Sequence, residues 1–376
     1  MHAEETIRLL RTPKAILREG KQLLLGTKEV VRMIVDPKLS RSYYPSGSKK
    51  SKLRILNDLL SWLLRYWEVN SYYYVYGFDR QGVDMDNYLP YRTFREIRNR
   101  KNRHPNSGAS YNYLCILRDK FVFSQFVSSL GFPTPRNLAI LDRHSITWLD
   151  QMRTVPLDEL IEDEDFYFDG FCKGLAGING KGVFPLRLHD GKLFVNDEEI
   201  ALSQLKDRLN GRSLIQERVE QHKKMRELHP PSVNTIRLVT FNNGGDVQVF
   251  SAGLRIGTRG RSLDNWTAGG ILVGVDLESG RVRENGFYKP GYGGRVGQHP
   301  QTDVLFSGFE IPYFNDALEL AKGLHGYLYG IHSVGWDIAI TEAGPIIIEG
   351  NDDWDGAVPM ALEENFKQRF LDMYRA

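Results

Sequence analysis

The sequence predicts an α+β fold preceded by a mainly helical region, and three observations carry that prediction. Before Tyr76, apolar residues recur at helical spacing among basic ones. From Leu117 onward, strand and helix patterns alternate with frequent glycines. Near the C-terminus, Ser333 to Asn351 forms two short alternating runs around Glu342-Ala343-Gly344, the pattern of a β-hairpin.

Composition bounds the reading. The chain has 376 residues, enough for two or three domains with a sizeable core. Its 41% hydrophobic and 26% charged content is ordinary for a soluble globular protein. Residues 1–54 hold 13 Lys/Arg against 5 Asp/Glu, so the net charge of +2 hides a basic N-terminus and an acidic remainder. Such a segment fits an anionic membrane surface or nucleic acid, and equally a solvated helix face. For the chain as a whole no nucleic-acid partner is expected. Peripheral membrane contact, a glycosyltransferase partner and a homodimer stay open. Two cysteines, Cys115 and Cys172, supply no disulfide framework, and with no secretory h-region at the N-terminus a cytoplasmic location is expected. No stretch reaches the roughly 20 apolar residues of a membrane-spanning helix.

In chain order, Glu4 to about Ile34 reads as amphipathic helices, with Ile7, Leu10, Leu17, Leu24, Val30 and Ile34 among the apolar positions. Tyr43 to Lys52 is a polar, turn-rich linker, and Leu53 to Tyr76 a further helix. Residues 84 to 112 show little periodicity, and the basic run Arg95, Arg98, Arg100, Lys101, Arg103 reads as solvated surface, with binding of a substrate phosphate or carboxylate as the alternative. Asp119 is placed to cap a helix from Lys120 to Leu130 that Gly131 closes, leading through Phe132-Pro-Thr-Pro135 into a strand from Asn137 to Leu141.

After a strand ending at Lys173, Gly174, Gly177, Gly180 and Gly182 punctuate a short stretch before another strand begins. Glycine lets backbone N–H groups approach an anion closely, and Lys173 and Lys181 add charge, so the stretch suits a phosphate-covering loop. A glycine-rich hairpin loop without a ligand is the alternative. It is not a Walker A sequence, because no Gly-Lys-Ser/Thr opens a helix. Leu214 to Glu220 is a strand end whose backbone suits a flat heterocycle. Arg237 and Arg255 sit on strands that lead to glycine-rich turns, which suits binding of phosphate or carboxylate, or pairing with an acidic residue.

In the C-terminal hairpin, a three-residue loop with Gly344 left-handed places Asp337 opposite Glu349, with Asn351 on the same side. Trp336, Ile338, Ile340, Ile346 and Ile348 then share the other face. Two opposed carboxylates with Cβ atoms about 5 Å apart repel one another unless a cation lies between them. Oxygen-only ligands suit Mg²⁺; a solvated acidic face is the competing reading.

Lys120, the Lys173 loop, Gln216-Glu-Arg-Val219, Ser232-Val-Asn-Thr-Ile-Arg237, Asp264-Asn-Trp-Thr-Ala-Gly-Gly270 and Gly335-Trp-Asp337 with Ile347-Ile-Glu-Gly-Asn351 together resemble the ATP-grasp fold, specifically the sugar-transfer-associated ATP-grasp family, over roughly residues 70 to 370. The resemblance implies ATP clasped between two α+β subdomains, 115–215 and 216–376, behind a helical basic region 1–114. It implies that Lys120 and Lys173 reach the phosphates under a loop that includes Gly180 and Gly182. Gln216, Glu217 and Val219 would form the adenine hinge, and Glu220 would meet the ribose hydroxyls. Arg237 and Arg255 would lie near the γ-phosphate or an acyl phosphate, and Asp337, Glu349 and Asn351 would hold Mg²⁺, with Mn²⁺ as the alternative ion. The segment Gln221 to Pro231 departs from the family pattern in its polar residues His222, Lys223, Lys224 and Arg226.

The activity so implied is carboxylate–amine ligation through an acyl phosphate, on small-molecule substrates such as an amino acid or amine and a sugar acid of a surface polysaccharide. A kinase acting on a hydroxyl is the alternative enzyme, and a non-catalytic nucleotide sensor the third reading. No Ser-His-Asp or Cys-His arrangement appears, and Cys172 has the flanks of a buried thiol.

Overall fold

A computed structural model describes residues 13–103, 113–162, 166–176, 182–356 and 365–375, with side chains from residue 23 onward. Helix α1 (Pro13–Val35) packs on α2 (Lys52–Tyr66), which Ser51 caps by accepting from the Arg54 N–H. The expected helix to Tyr76 stops ten residues earlier. Trp67 turns left-handed at φ 57°, and the chain folds into turns that bury Tyr73, Tyr76 and Phe78. These aromatics serve tertiary packing and follow no helical period.

A second correction concerns residues 84 to 112, where α3 (Tyr91–Arg103) forms. Its buried positions, Phe94, Arg98 and Asn102, recur every four residues as a helix face requires. Two of the three are polar, so a pattern of hydrophobicity does not reveal the face. Arg98, read from sequence as solvated, is fully buried.

Helices α4 (Leu114–Arg118) and α5 (Lys120–Ser129) follow. Asp119 caps α5 as expected, accepting from Phe121 N and Val122 N, and Gly131 beyond its end has φ +78°. An eight-stranded antiparallel sheet is then built from β1 (Asn137–Leu141), β2 (Ser145–Trp148), β3 (Arg153–Pro156), β4 (Phe168–Gly174), β5 (Val183–His189), β6 (Lys192–Val195), β7 (Glu198–Ile200) and, after α6 (Leu202–Arg208), β8 (Ser213–Glu217). In the order β3-β2-β1-β8-β4-β5-β6-β7, β8 lies between β1 and β4 and brings its end beside Lys173.

Past α7 (Lys223–Leu228), the second sheet contains β9 (Thr235–Asn243), β10 (Asp246–Ile256), β11 (Ile271–Val275), β12 (Val282–Tyr288), β13 (Arg295–Val296) and, after α8 (Phe314–Gly326), β14 (Ser333–Thr341) and β15 (Gly344–Asn351). Its order is β13-β12-β11-β10-β9-β14-β15. Strand alternation divides β9 between two environments. Ile236 and Leu238 enter one core with residues of α5 and α8, whereas Val239 and Phe241 enter another with the N-terminal helices and α9 (Phe366–Arg375). Arg237 shares the second face. The N-terminal region therefore covers part of the face on which the candidate site lies.

The β14–β15 hairpin pairs Asp337 with Glu349 as expected, but by another route. Thr341 pairs with Gly344 next to the turn, so the loop between paired positions is two residues rather than three. A bulge between Asp337 and Ile338 then restores the expected pair, leaving Ile348 unpaired. The bulge also reassigns the isoleucines. Ile347 is buried in the core, while Ile348 lines the cleft described next.

Candidate active site

Between the two sheets lies a cleft whose lining divides by chemistry. Pro135, Phe171, Val183 and Val219 give an apolar part. Lys120, Lys173, Arg237 and Arg255 bring four cations to the same cleft, together with Asp337, Glu349 and Asn351.

Each charged side chain arrives on a rigid element. Lys120 opens α5, its backbone N–H bonded to Leu175 O, and its ammonium lies 2.9 Å from Glu349 Oε2. Lys173 ends β4 and donates to Gln216 Oε1 at 2.9 Å. Gln216 is buried and in turn donates to Asn137 Oδ1, which links it to Ser124 of α5. Its side chain thus positions Lys173, while Glu217 and Val219 line the cleft. Glu217 also accepts from Arg136 N through Oε1 at 3.0 Å. Glu220 lies elsewhere: it is exposed and borders a second hollow with Arg136, Trp148 and Arg218. Gly182 is described at φ +71°; Gly180 lies outside the described residues.

Asp337 is 2% exposed and held by two arginines. Arg255 Nη2 lies 3.0 Å from Oδ2, and Arg237 donates to the same oxygen through Nη2 at 3.2 Å. Oδ1 is 2.7 Å from Arg237 Nε, yet that N–H is not aimed at it, and among the described residues the oxygen accepts no hydrogen bond. Burial pushes the Asp337 carboxyl up to about 6, with Arg237 and Arg255 opposing and Glu349 reinforcing the rise. Burial is the largest single influence on Glu349 and acts against its charge, but Lys120, Asp337 and Arg255 together overcome it and hold that carboxyl well below the usual carboxylate range. Asn351 donates to Glu349 Oε1 at 3.2 Å. An ionised Glu349 facing a buried aspartate is an arrangement a hard divalent cation fits, since it would neutralise the repulsion and give Asp337 Oδ1 a partner.

The motif Asn234-Thr-Ile-Arg237 divides into structural and cleft-facing residues. Asn234 is fully buried, donating to Met225 O and accepting from Gly257 N. Gln221 accepts from its backbone N–H, so the polar segment after β8 is used to anchor β9. Thr235 donates its N–H to Asp264 Oδ2, and Arg255 donates to Thr235 Oγ1 at 2.9 Å. Asp264 thereby ties the Asp264–Gly270 segment to the strand that carries Arg237.

Several residues went unassigned in the sequence. Asp353 and Asp355, just beyond Asn351, line the cleft with Trp266, and the run Asp352-Asp353-Trp354-Asp355 was a visible signal. Arg118 grips Asp352 with two bonds, of 3.1 and 2.7 Å. Arg98 donates to Trp354 O and to Asp353 Oδ1. Asn102 donates to Ser333 O and Asp352 O and accepts from the N–H groups of His332 and Ser333. No linear pattern marks these α3 residues, whose partners are more than 200 positions away.

Cys172 is buried, and burial pushes its thiol up to about 12, away from nucleophilic chemistry.

No curated protein sequence matches the chain. Among solved structures it is similar to N5-carboxyaminoimidazole ribonucleotide synthetase from Thermotoga maritima, with 14% identity and a TM-score of 0.35, over 71% of this chain and 49% of that one. It is also similar to D-alanine-D-alanine ligase from Helicobacter pylori, with 11% identity and a TM-score of 0.38, over 69% and 58% of the two chains. A third is the biotin carboxylase domain of 2-oxoglutarate carboxylase from Hydrogenobacter thermophilus, with 10% identity and a TM-score of 0.39, over 69% and 46%. The chain thus spans about half the length of the first of these. The family model for sugar-transfer associated ATP-grasp proteins matches residues 96–373, and over that span the chain belongs to this family.

Proposed function

We propose that the protein is an ATP- and Mg²⁺-dependent ligase that activates a carboxylate as an acyl phosphate and joins it to an amine, with a sugar acid and an amino acid or amine of a surface polysaccharide as substrates. The observation that carries this reading is the convergence of Lys120, Lys173, Arg237 and Arg255 on Asp337, Glu349 and Asn351 in one cleft. Phosphoryl transfer asks for charge neutralisation and alignment rather than a covalent nucleophile. In this reading the adenine lies against Phe171, Val183 and Val219 beside the hinge, and Lys120 and Lys173 hold the phosphates.

Asp337, Glu349 and Asn351 are the residues that would hold Mg²⁺, which when bound would supply charge that neutralises the phosphates. Arg237 and Arg255 are paired with Asp337; a cation at Asp337 would leave both guanidinium groups available to the transferred phosphoryl group. Asp353 and Asp355 also line the cleft, Asp353 being paired with Arg98.

The test is phosphate release from ATP in the presence of Mg²⁺ with pools of sugar acids and amino acids. The ligase reading requires release only when both a carboxylate and an amine are present. A stable phosphoester formed from a hydroxyl compound alone would replace it with the kinase.

A further inference from the structure

We infer that the outward face of α1 is a docking surface for an anionic lipid membrane. Helix α1 is apolar on two opposite faces. Its inner face, with Val30 and Met33 buried, packs on α2, and Gly26 is what allows the close approach: a Cβ there would lie 2.6 Å from Leu63 Cδ1. Its outer face carries Leu24, Val31 and Val35 at intervals of seven and four residues, so they form one stripe, flanked by Leu25. These four side chains are 61%, 51%, 71% and 54% exposed in that order, far more than the inner face. On α2, Leu53 and Leu64 are exposed as well. A surface helix that has already satisfied its core with one face has no structural need for a second apolar stripe.

Charge selects the occupant. From residue 23 to residue 65 the sequence holds nine Lys/Arg and three Asp/Glu. Lys28 lies within the stripe and Arg32 beside it, and Lys28, Lys52 and Arg54 form no ion pair among the described residues. Asp58 is engaged by Lys50 and Tyr73, which leaves the acidic side of the balance smaller still. Aliphatic side chains interspersed with lysine and arginine on one exposed helix face match the acyl boundary and phosphate layer of an anionic bilayer. A second copy of the chain would bring the same positive charge against it.

The experiment is flotation of the full chain with vesicles of phosphatidylglycerol and phosphatidylcholine in equal parts, beside vesicles of phosphatidylcholine alone. The chain should float with the anionic vesicles, less so at high salt, and remain behind with the neutral ones. Leu24→Gln combined with Val31→Gln and Val35→Gln should weaken the association at least about tenfold, and Lys28→Glu should weaken it too, both with ATP turnover in solution unchanged. Absence of flotation, equal flotation with neutral vesicles, or indifference to the triple substitution overturns the proposal. So does concentration-dependent dimerisation, measured by sedimentation, that the same substitutions abolish. None of these outcomes bears on the ligase reading, which is tested without lipid.

Discussion

Lys173 offers the most quantitative test of the cleft. Burial, and then the charge of Lys120, lower its ammonium from 10.5 to about 8, although Glu349 and Asp337 pull the other way. That drop corresponds to about 3 kcal/mol against the charged form. An anion docked beside Lys173 removes the penalty. If a bound phosphate restores the ordinary value, the charged protein binds nucleotide about two to three powers of ten more tightly than the neutral one. The sign follows directly. Below about pH 8 the ammonium is present and affinity is at its plateau; as pH rises through that value the free protein loses the proton, and affinity falls toward about tenfold per pH unit. Lys173→Met should bind about 100-fold more weakly at neutral pH and lose this alkaline decline. Lys173→Arg, charged throughout, should also lack the decline while retaining much of the affinity. Calorimetry with a non-hydrolysable ATP analogue and Mg²⁺ across this range decides the matter. A flat wild-type profile, or a methionine variant of equal affinity, would refute the argument.

Three further outcomes are expected. Glu349→Ala should abolish ATP turnover and the Mg²⁺ dependence of nucleotide binding while leaving the circular dichroism spectrum unchanged; retained turnover in the purified variant would remove the metal assignment. Arg98→Leu should lower stability by about 1–3 kcal/mol in urea, because the Trp354 carbonyl loses its buried donor and Asp353 one of its two arginine partners, and it should raise the KM for substrate by loosening the segment after Asn351. A variant as stable as the parent would show that α3 does not hold that segment. Gly335→Ala should disturb the same segment from the opposite side, since a Cβ there would lie 2.5 Å from Trp354 Cβ. Reduced Trp354 burial, read by fluorescence quenching, is its signature, and unaltered quenching would count against it.

Much of the second sheet was legible because strand alternation is a local property. Trp336, Ile338 and Ile340 alternate with Asp337 in the sequence and do so in space. The cap of α5 was equally local: an aspartate side chain needs only the two N–H groups that follow it. The bulge opposite Asp337 was not legible. It reconciles a turn at Gly344 with a carboxylate pair seven residues away from it on β14, and only the paired strands fix where the extra residue goes.

By itself, then, the sequence determined which residue types could do the chemistry: the lysines, the arginines on strands, and two carboxylates with an amide on one hairpin. Tertiary structure alone decided how they are used. It turned Gln216 toward Lys173, sent Glu220 to a different hollow, and made Asn234 an anchor of β9. It also brought the N-terminal helices onto the face that carries Arg237, with Arg98 and Asn102 gripping the segment beyond Asn351. The physical reason is range. Periodicity and caps depend on neighbours a few residues apart, whereas a buried guanidinium or amide is satisfied by whichever distant backbone the fold delivers to it.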